Sequence, residues 1–145
     1  MQFGTVGCKS SRYCLNDNFF AFWFRFIFRN ADLIERKRFD VLQSILERDY
    51  ETFSGFALEG YFREKLIEER AYTRLGNWWD RRGENEIDLI GEDAISGTLD
   101  FFEVKRDKAR INLATLRQKA QAFLAKNPEL NNHAISYKAL SMEDM

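Results

Sequence analysis

Residues 86–105 read EIDLIGEDAISGTLDFFEVK, and their pattern is the clearest indication of the fold type. Its two apolar runs, residues 86–90 and 99–105, predict short β-strands, and residues 91–97 between them predict a hairpin-like loop. Because side chains alternate along a strand, Glu103 and Lys105 share one face while Val104 points into the core. The stretch therefore predicts two neighbouring strands at the centre of a small sheet.

Asp88 is the residue of this stretch that a plain hairpin does not explain. Its chain neighbours are apolar, so a carboxylate at this position needs a partner. If the two strands pair, Asp88 and Glu103 converge near one end. With the Val104 carbonyl they form a hard-oxygen site suited to Mg²⁺ or Mn²⁺. Glu86 lies on the same strand face as Asp88 by the period of two and is a competing ligand.

The pair Glu103 and Lys105 suits phosphodiester hydrolysis. The carboxylate can hold a divalent ion, and the ammonium can orient the attacking water or stabilise developing charge. Taken alone, the Glu-x-Lys pattern is also typical of an ion pair on a surface strand. Asp88 on the preceding strand favours the catalytic interpretation.

The segments on either side of the hairpin predict the rest of a domain over residues 55–145. A helical apolar face predicts a helix over residues 56–70, with Gly55 as its boundary. Residues 72–79 are aromatic and β-prone, residues 113–124 have a helical pattern that Asn127-Pro128 ends, and residues 133–140 form a last strand. The order is αβββαβ, which predicts an α/β fold with a mixed sheet flanked by helices.

Residues 16–54 predict a helical N-terminal extension rich in aromatic side chains. Phe19, Phe22, Trp23 and Phe26 follow helical spacing, although the even-numbered aromatic residues of this segment also alternate as in a strand. We favour a helix over residues 16–30 and a second over residues 32–48. We expect these four rings to be buried by this chain or by a copy of itself, because an exposed aromatic patch of this size promotes association.

Composition limits the classes of function. The chain has 145 residues and a net charge of −1, so the whole-chain charge gives no sign of a polyanionic partner, although six cationic residues and one acid lie between residues 105 and 119. Cys8, Cys14 and His133 are too few to form a structural zinc site. The apolar run at residues 19–28 is shorter than the roughly 20 residues of a membrane helix. We expect a cytoplasmic protein without a membrane segment.

Asp88 followed by Glu103-Val104-Lys105 resembles the core motif of the PD-(D/E)XK nuclease superfamily, whose restriction-endonuclease-like fold is an αβββαβ core. The resemblance implies that Asp88 and Glu103 bind Mg²⁺ or Mn²⁺ and that Lys105 acts on the attacking water. It implies that Glu59, on the first core helix, assists the metal, where the sequence alone would indicate a solvated residue. It also implies a polar residue on the helix after the lysine, for which Gln118 and Gln121 are both candidates.

A narrower resemblance covers nearly the whole chain. The chain is similar to an uncharacterised domain at the C-terminus of archaeal and bacterial AAA-type ATPases. The residues that carry it are Tyr13, Asp17, Phe19, Phe22-Trp23-Phe24, Phe26, Leu58-Glu59, Phe62, Trp78-Trp79, Glu86-Ile87-Asp88, Glu103-Val104-Lys105 and Leu140-Ser141 with Glu143-Asp144-Met145. The resemblance implies a preceding ATPase module, missing from this chain, and makes residues 1–15 the remnant of a winged-helix-like region. The chain has no G-x-x-x-x-G-K-[ST] segment for ATP phosphates.

Several further residues are candidates for contact with DNA. Trp78-Trp79 could stack on bases, but packing under the sheet is the favoured interpretation. The alternative for the cationic candidates is a solvated basic face. These candidates for phosphate binding are Arg81, Arg82, Arg106, Lys108 and Arg110.

The sequence thus predicts metal-dependent cleavage of a phosphodiester, with DNA as the substrate. Two rivals remain open: a regulatory or docking module of the ATPase that does not use the site, and a DNA-binding module that never cuts. Whether the protein is a homo-oligomer is also left open.

Overall fold

The computed structural model describes residues 17–69, 71–80 and 82–145. The interpretation of residues 1–15, together with Cys8, Cys14 and Arg81, falls outside these residues. Within them the chain forms two compact units, residues 17–57 and Leu58–Met145. No helix in the described part of the chain combines the length and the apolar character needed to cross a membrane.

The first unit is helical, as the sequence predicts. Helix α1 spans Asn18–Phe22, and the Asp17 side chain caps it by accepting a hydrogen bond of 3.0 Å from the Phe20 amide. The chain continues through a π-helical turn, Trp23–Ile27, and a 3-10 turn, Phe28–Asn30, into helix α2, Ala31–Glu35. The sequence predicts one regular helix over residues 16–30. The structure differs because the π-helical turn and the 3-10 turn interrupt the α-helical geometry.

The expectation of burial is only partly met within the chain. Phe26 is fully buried and packs with Phe22 and Phe53, at ring-centroid distances of 5.0 Å and 5.5 Å. Phe19 and Trp23 remain 67% and 42% exposed. Their rings stack on each other instead of entering the core of the unit.

Helix α3 corrects the predicted start of a separate helix after Gly55. It runs unbroken over Phe39–Glu68, so the helices predicted at residues 32–48 and 56–70 are largely one helix. The break lies earlier, at residues 36–38, where Lys37 adopts a left-handed backbone with φ of 57°. A glycine inside a helix costs only about 1 kcal/mol, which the helix-forming residues around Gly55 outweigh.

The second unit is built around a four-stranded mixed sheet. Its strands are β1, Arg74–Trp79, β2, Glu86–Asp93, β3, Thr98–Val104, and β4, Ala134–Leu140. They lie in the order β1-β2-β3-β4, with the first two pairings antiparallel and β3 parallel to β4. Helix α4, Leu113–Leu124, connects the parallel pair and begins at the cap residue Asn112. The predicted αβββαβ order and mixed sheet are confirmed.

Each face of the sheet has its own core. The α4 side is filled by Trp78, Ile87, Ile90, Leu99, Phe101, Leu116, Ala120, Phe123 and Leu130. The opposite side is filled by residues of α3 and of the sheet, namely Leu58, Phe62, Leu89, Phe102 and Val104. Strand β3 is therefore covered on both faces. The burial of Trp78 confirms its favoured role in packing.

Gly91 allows a close approach on this second face. A Cβ added at Gly91 would lie 2.6 Å from Cδ1 of Tyr72, and the Tyr72 hydroxyl is tied to Asp100 by a hydrogen bond. We expect Gly91→Ala to lower the free energy of unfolding by about 1–3 kcal/mol, because the ring must shift. Gly55→Ala, in α3 with open space around it, should raise it by about 0.5–1 kcal/mol. Urea unfolding of both variants checks this, and equal effects would contradict the packing at Gly91.

Candidate active site

Asp88 lies in a β-bulge of strand β2. Gly76 pairs with Ile90 and Trp78 pairs with Ile87, so β2 has one more residue than β1 between these pairs. Ile87 and Ile90 consequently both face the α4 side, although a regular strand would send them to opposite faces. Bulges bend a strand and redirect its side chains. Here the bulged segment of β2 contains Asp88, whose side chain lies next to the end of β3.

Asp88 reaches across to the last residues of β3. Its Oδ2 accepts hydrogen bonds from the Val104 amide at 2.8 Å and from Nζ of Lys105 at 3.2 Å. Burial raises the pKa of Asp88 above its ordinary value, and the Val104 amide and Lys105 offset only part of that effect. The carboxylate is thus mostly enclosed and oriented by the main chain of the neighbouring strand.

Lys105 joins the two predicted acids. Its Nζ lies 3.1 Å from Oε1 of Glu103 and donates to the Val104 carbonyl oxygen at 3.1 Å, in addition to its contact with Asp88. Burial acts to lower the pKa of Lys105, but the charges of Asp88 and Glu103 outweigh it and raise the pKa above its ordinary value. Three oxygens, two of them from carboxylates, therefore surround one positive charge.

Glu103 is buried and divides its two oxygens between two lysines. Oε1 contacts Lys105, and Oε2 lies 3.3 Å from Nζ of Lys119, which is on α4. Lys119 is not among the residues that the sequence predicts for the site. The helical spacing could have found it, because Lys119 lies between Leu116 and Ala120, which form the buried face of α4.

Glu59 lies on α3 beside the residues that cover the second face of the sheet. Its neighbour Leu58 and, one turn later, Phe62 are buried in that core. Burial raises the pKa of Glu59 to about 7, and the charge of Asp88 adds to the effect while Lys105 opposes it. The influence of Asp88 places Glu59 in the same electrostatic environment as the site.

The oxygens around the Lys105 ammonium are the candidate ligands for a divalent cation. In the described part of the chain, no group of three or more His, Cys, Asp and Glu side chains is placed to hold a metal ion. The oxygens of Asp88, Glu103 and Val104 that contact the Lys105 ammonium are nevertheless hard ligands that Mg²⁺ and Mn²⁺ accept. These residues fit a cation with two carboxylates and a carbonyl, and Glu59 lies outside that set.

Comparison with known proteins places the chain in a family. Residues 23–122, more than half of the chain, match the family DUF234, described as archaeal and bacterial proteins of unknown function. The chain belongs to the DUF234 family. The matched region contains every residue of the site described above.

A relative supports this membership. The chain is 39% identical over 108 residues to the uncharacterized protein MJECL04 of Methanocaldococcus jannaschii. The match covers 70% of this chain but only 24% of that relative, so the chain spans about a quarter of its length. No solved structure matches the chain.

Other predicted residues of this DUF234 chain lie away from the site's contacts. Gln118 and Gln121 are exposed on α4, whereas Lys119 between them reaches Glu103. Glu86 is exposed at the start of β2, and its charge contributes to the raised pKa of Glu59.

The cationic candidates for phosphate binding have varied surroundings. Arg82 and Arg110 are exposed, Arg106 is partly buried, and Nζ of Lys108 lies 3.6 Å from Asp144. Their role on DNA stays a prediction. His133 lies 3.7 Å from Glu92, near the start of β4, which fits the structural role favoured for it.

Proposed function

We propose that this chain is a nuclease-like domain that cleaves phosphodiesters, with DNA as substrate, in a reaction dependent on Mg²⁺ or Mn²⁺. One observation carries the proposal: Asp88 Oδ2, Glu103 Oε1 and the Val104 carbonyl meet at the Lys105 ammonium. This arrangement supports a site of the PD-(D/E)XK kind on the αβββαβ fold.

The residues divide the work as follows in the proposal. Asp88, Glu103 and the Val104 carbonyl would hold the divalent cation, and Glu59 would support it through water. The cation supplies Lewis-acid stabilisation of the phosphoryl oxygens. Lys105, once released from the carboxylates, orients the attacking water and stabilises negative charge that develops on the phosphate. Burial of the two acids keeps these interactions out of bulk water, where they would be weaker.

The proposal extends to the context of the domain. The relative that extends well beyond the matched region is consistent with a preceding AAA-type ATPase module, and a cytoplasmic location is part of the same proposal. The exposed rings of Phe19 and Trp23 are where such a module would pack. The exposed cations Arg82 and Arg110 would contact DNA phosphates.

Cleavage assays with a matched pair of variants test the reaction. The protein should cut or nick DNA with Mn²⁺ and not in chelator, and Asp88→Asn should lower the rate by about 100-fold or more, since a metal ligand is worth several kcal/mol. Asp93→Asn changes a partly exposed acid at the other end of β2 and should leave the rate unchanged. Equal rates for Asp88→Asn and the parent would refute the proposed site.

A DNA-binding module that does not cut is the second candidate. It is favoured by the lysine partners of both acids, because Asp88 and Glu103 are already neutralised within the chain. Binding of DNA that weakens steeply with salt and is unchanged in Asp88→Asn, without cleavage by the parent, would select this candidate.

A further inference from the structure

We propose that Lys119 is a positioning residue that aims Glu103 at the cation site. The inference rests on the proposed function, because it concerns how Glu103 is presented to a divalent cation. Nothing in the sequence pattern or in the family comparison assigns a role to Lys119.

The two carboxylate oxygens of Glu103 contact different lysines, and a bound cation would displace only one of these lysines. Lys105 contacts Oε1 at 3.1 Å, and Lys119 contacts Oε2 at 3.3 Å. A divalent cation held by Asp88 and Glu103 must replace the Lys105 ammonium, since that ammonium contacts both acids. The contact with Lys119 is the one that can persist when Lys105 leaves.

Lys119 is well placed to hold the carboxylate still. Leu116 and Ala120, on either side of it in sequence, are fully buried, which anchors that part of α4 on the sheet. The Lys119 side chain is 20% exposed, compared with 38% for Lys105, so it is the more enclosed of the two. With Oε2 held by Lys119, Oε1 stays directed toward the position of the Lys105 ammonium, which also contacts Asp88.

A positioning role and a purely electrostatic role of Lys119 predict opposite changes in metal affinity when its ammonium is removed. A positive charge near a cation site repels the cation, so an electrostatic role alone predicts tighter metal binding when the ammonium is removed. A positioning role predicts weaker binding, because Glu103 then loses the partner that fixes its orientation. Loss of a group that orients a metal ligand typically costs about 10- to 100-fold in metal affinity.

The test is Mn²⁺ affinity measured by isothermal titration calorimetry on the full chain, which needs no turnover. We expect Lys119→Met to weaken binding by about tenfold or more. Lys119→Arg keeps a cationic donor and should restore affinity to within about threefold of the parent. Arg117→Met removes a charge from the same helix, where the guanidinium lies over the Tyr137 ring, and should not weaken binding. Thermal melts confirm that each variant is folded, and Lys119→Gln replaces Lys119→Met if the latter does not fold.

The possible results distinguish a failure of the Lys119 role from a failure of the proposed function. If the parent binds Mn²⁺ through Asp88 and Glu103 but Lys119→Met binds as tightly or more tightly, the positioning role is refuted and the proposed function stands. If the parent shows no Mn²⁺ binding that depends on these two acids, the proposed function and the inference both fail. Weaker binding that Lys119→Arg does not restore would also count against the inference.

Discussion

Replacing Lys105 by methionine should remove nearly all DNA cleavage while Mn²⁺ binding is kept or becomes tighter. The cleavage rate should fall by about 100- to 1,000-fold, the scale on which loss of one group that stabilises developing charge acts. Metal binding should not suffer, because the Lys105 ammonium occupies the oxygens of Asp88 and Glu103 that a cation needs. Single-turnover cleavage and calorimetric titration measure the two effects separately.

Lys126→Met is the matched control for this experiment. Lys126 follows α4, lies over the Trp78 ring and contacts neither acid of the site. Its replacement should leave both cleavage and metal binding unchanged. Cleavage by Lys105→Met at the parent rate would indicate that Lys105 has no part in the chemistry or that a contaminating nuclease is being measured.

Glu59→Gln should stabilise the protein at neutral and higher pH in the absence of divalent metal. The pKa of Glu59 is raised to about 7 from its ordinary value of 4.5, because burial and Asp88 disfavour the ionised form. Keeping Glu59 ionised in the folded protein therefore costs about 3 kcal/mol near pH 8. Gln at this position carries no charge, so most of that cost should disappear.

The sign of the pH dependence follows from the raised pKa. The folded protein binds the Glu59 proton more tightly than the unfolded chain does, so stability falls as pH rises from about 4.5 to about 7. The advantage of Glu59→Gln should therefore be largest above pH 7 and small near pH 5. Urea unfolding in chelator at pH 5 and pH 8 measures it, with Glu68→Gln, an exposed acid near the end of α3, as control. An advantage of equal size at both values would show that Glu59 is not the titrating group.

The centre of the site could be predicted because its determinants are local. Alternation along β3 places Glu103 and Lys105 on one face, and the apolar neighbours of Asp88 indicate that its carboxylate is enclosed. A short hairpin then brings the strand ends together whatever the rest of the chain does. In the structure, Lys105 is in direct contact with both Asp88 and Glu103.

What could not be predicted depends on three-dimensional packing. The helical spacing indicates that Lys119 lies near the buried face of α4, but its contact with Glu103 depends on how α4 is rotated on the sheet. The bulge that turns Asp88 depends on the pairing of β2 with β1 and leaves no distinct mark in the sequence. The low helix propensity of Gly55 indicates a helix boundary, but the helix-forming residues around it continue the helix through this position.

The parallel pairing of β3 with β4 has a consequence for how the chain assembles. Strands β1, β2 and β3 pair with immediate chain neighbours, but Thr98 of β3 meets Ala134 of β4 only after the whole α4 crossover has been made. Contacts that close longer loops form later on average. Until then β3, the most buried strand of the folded sheet, offers an unpaired edge of the kind that templates aggregation. Strand β4 therefore acts as an intramolecular cap that keeps the central hairpin from joining other chains.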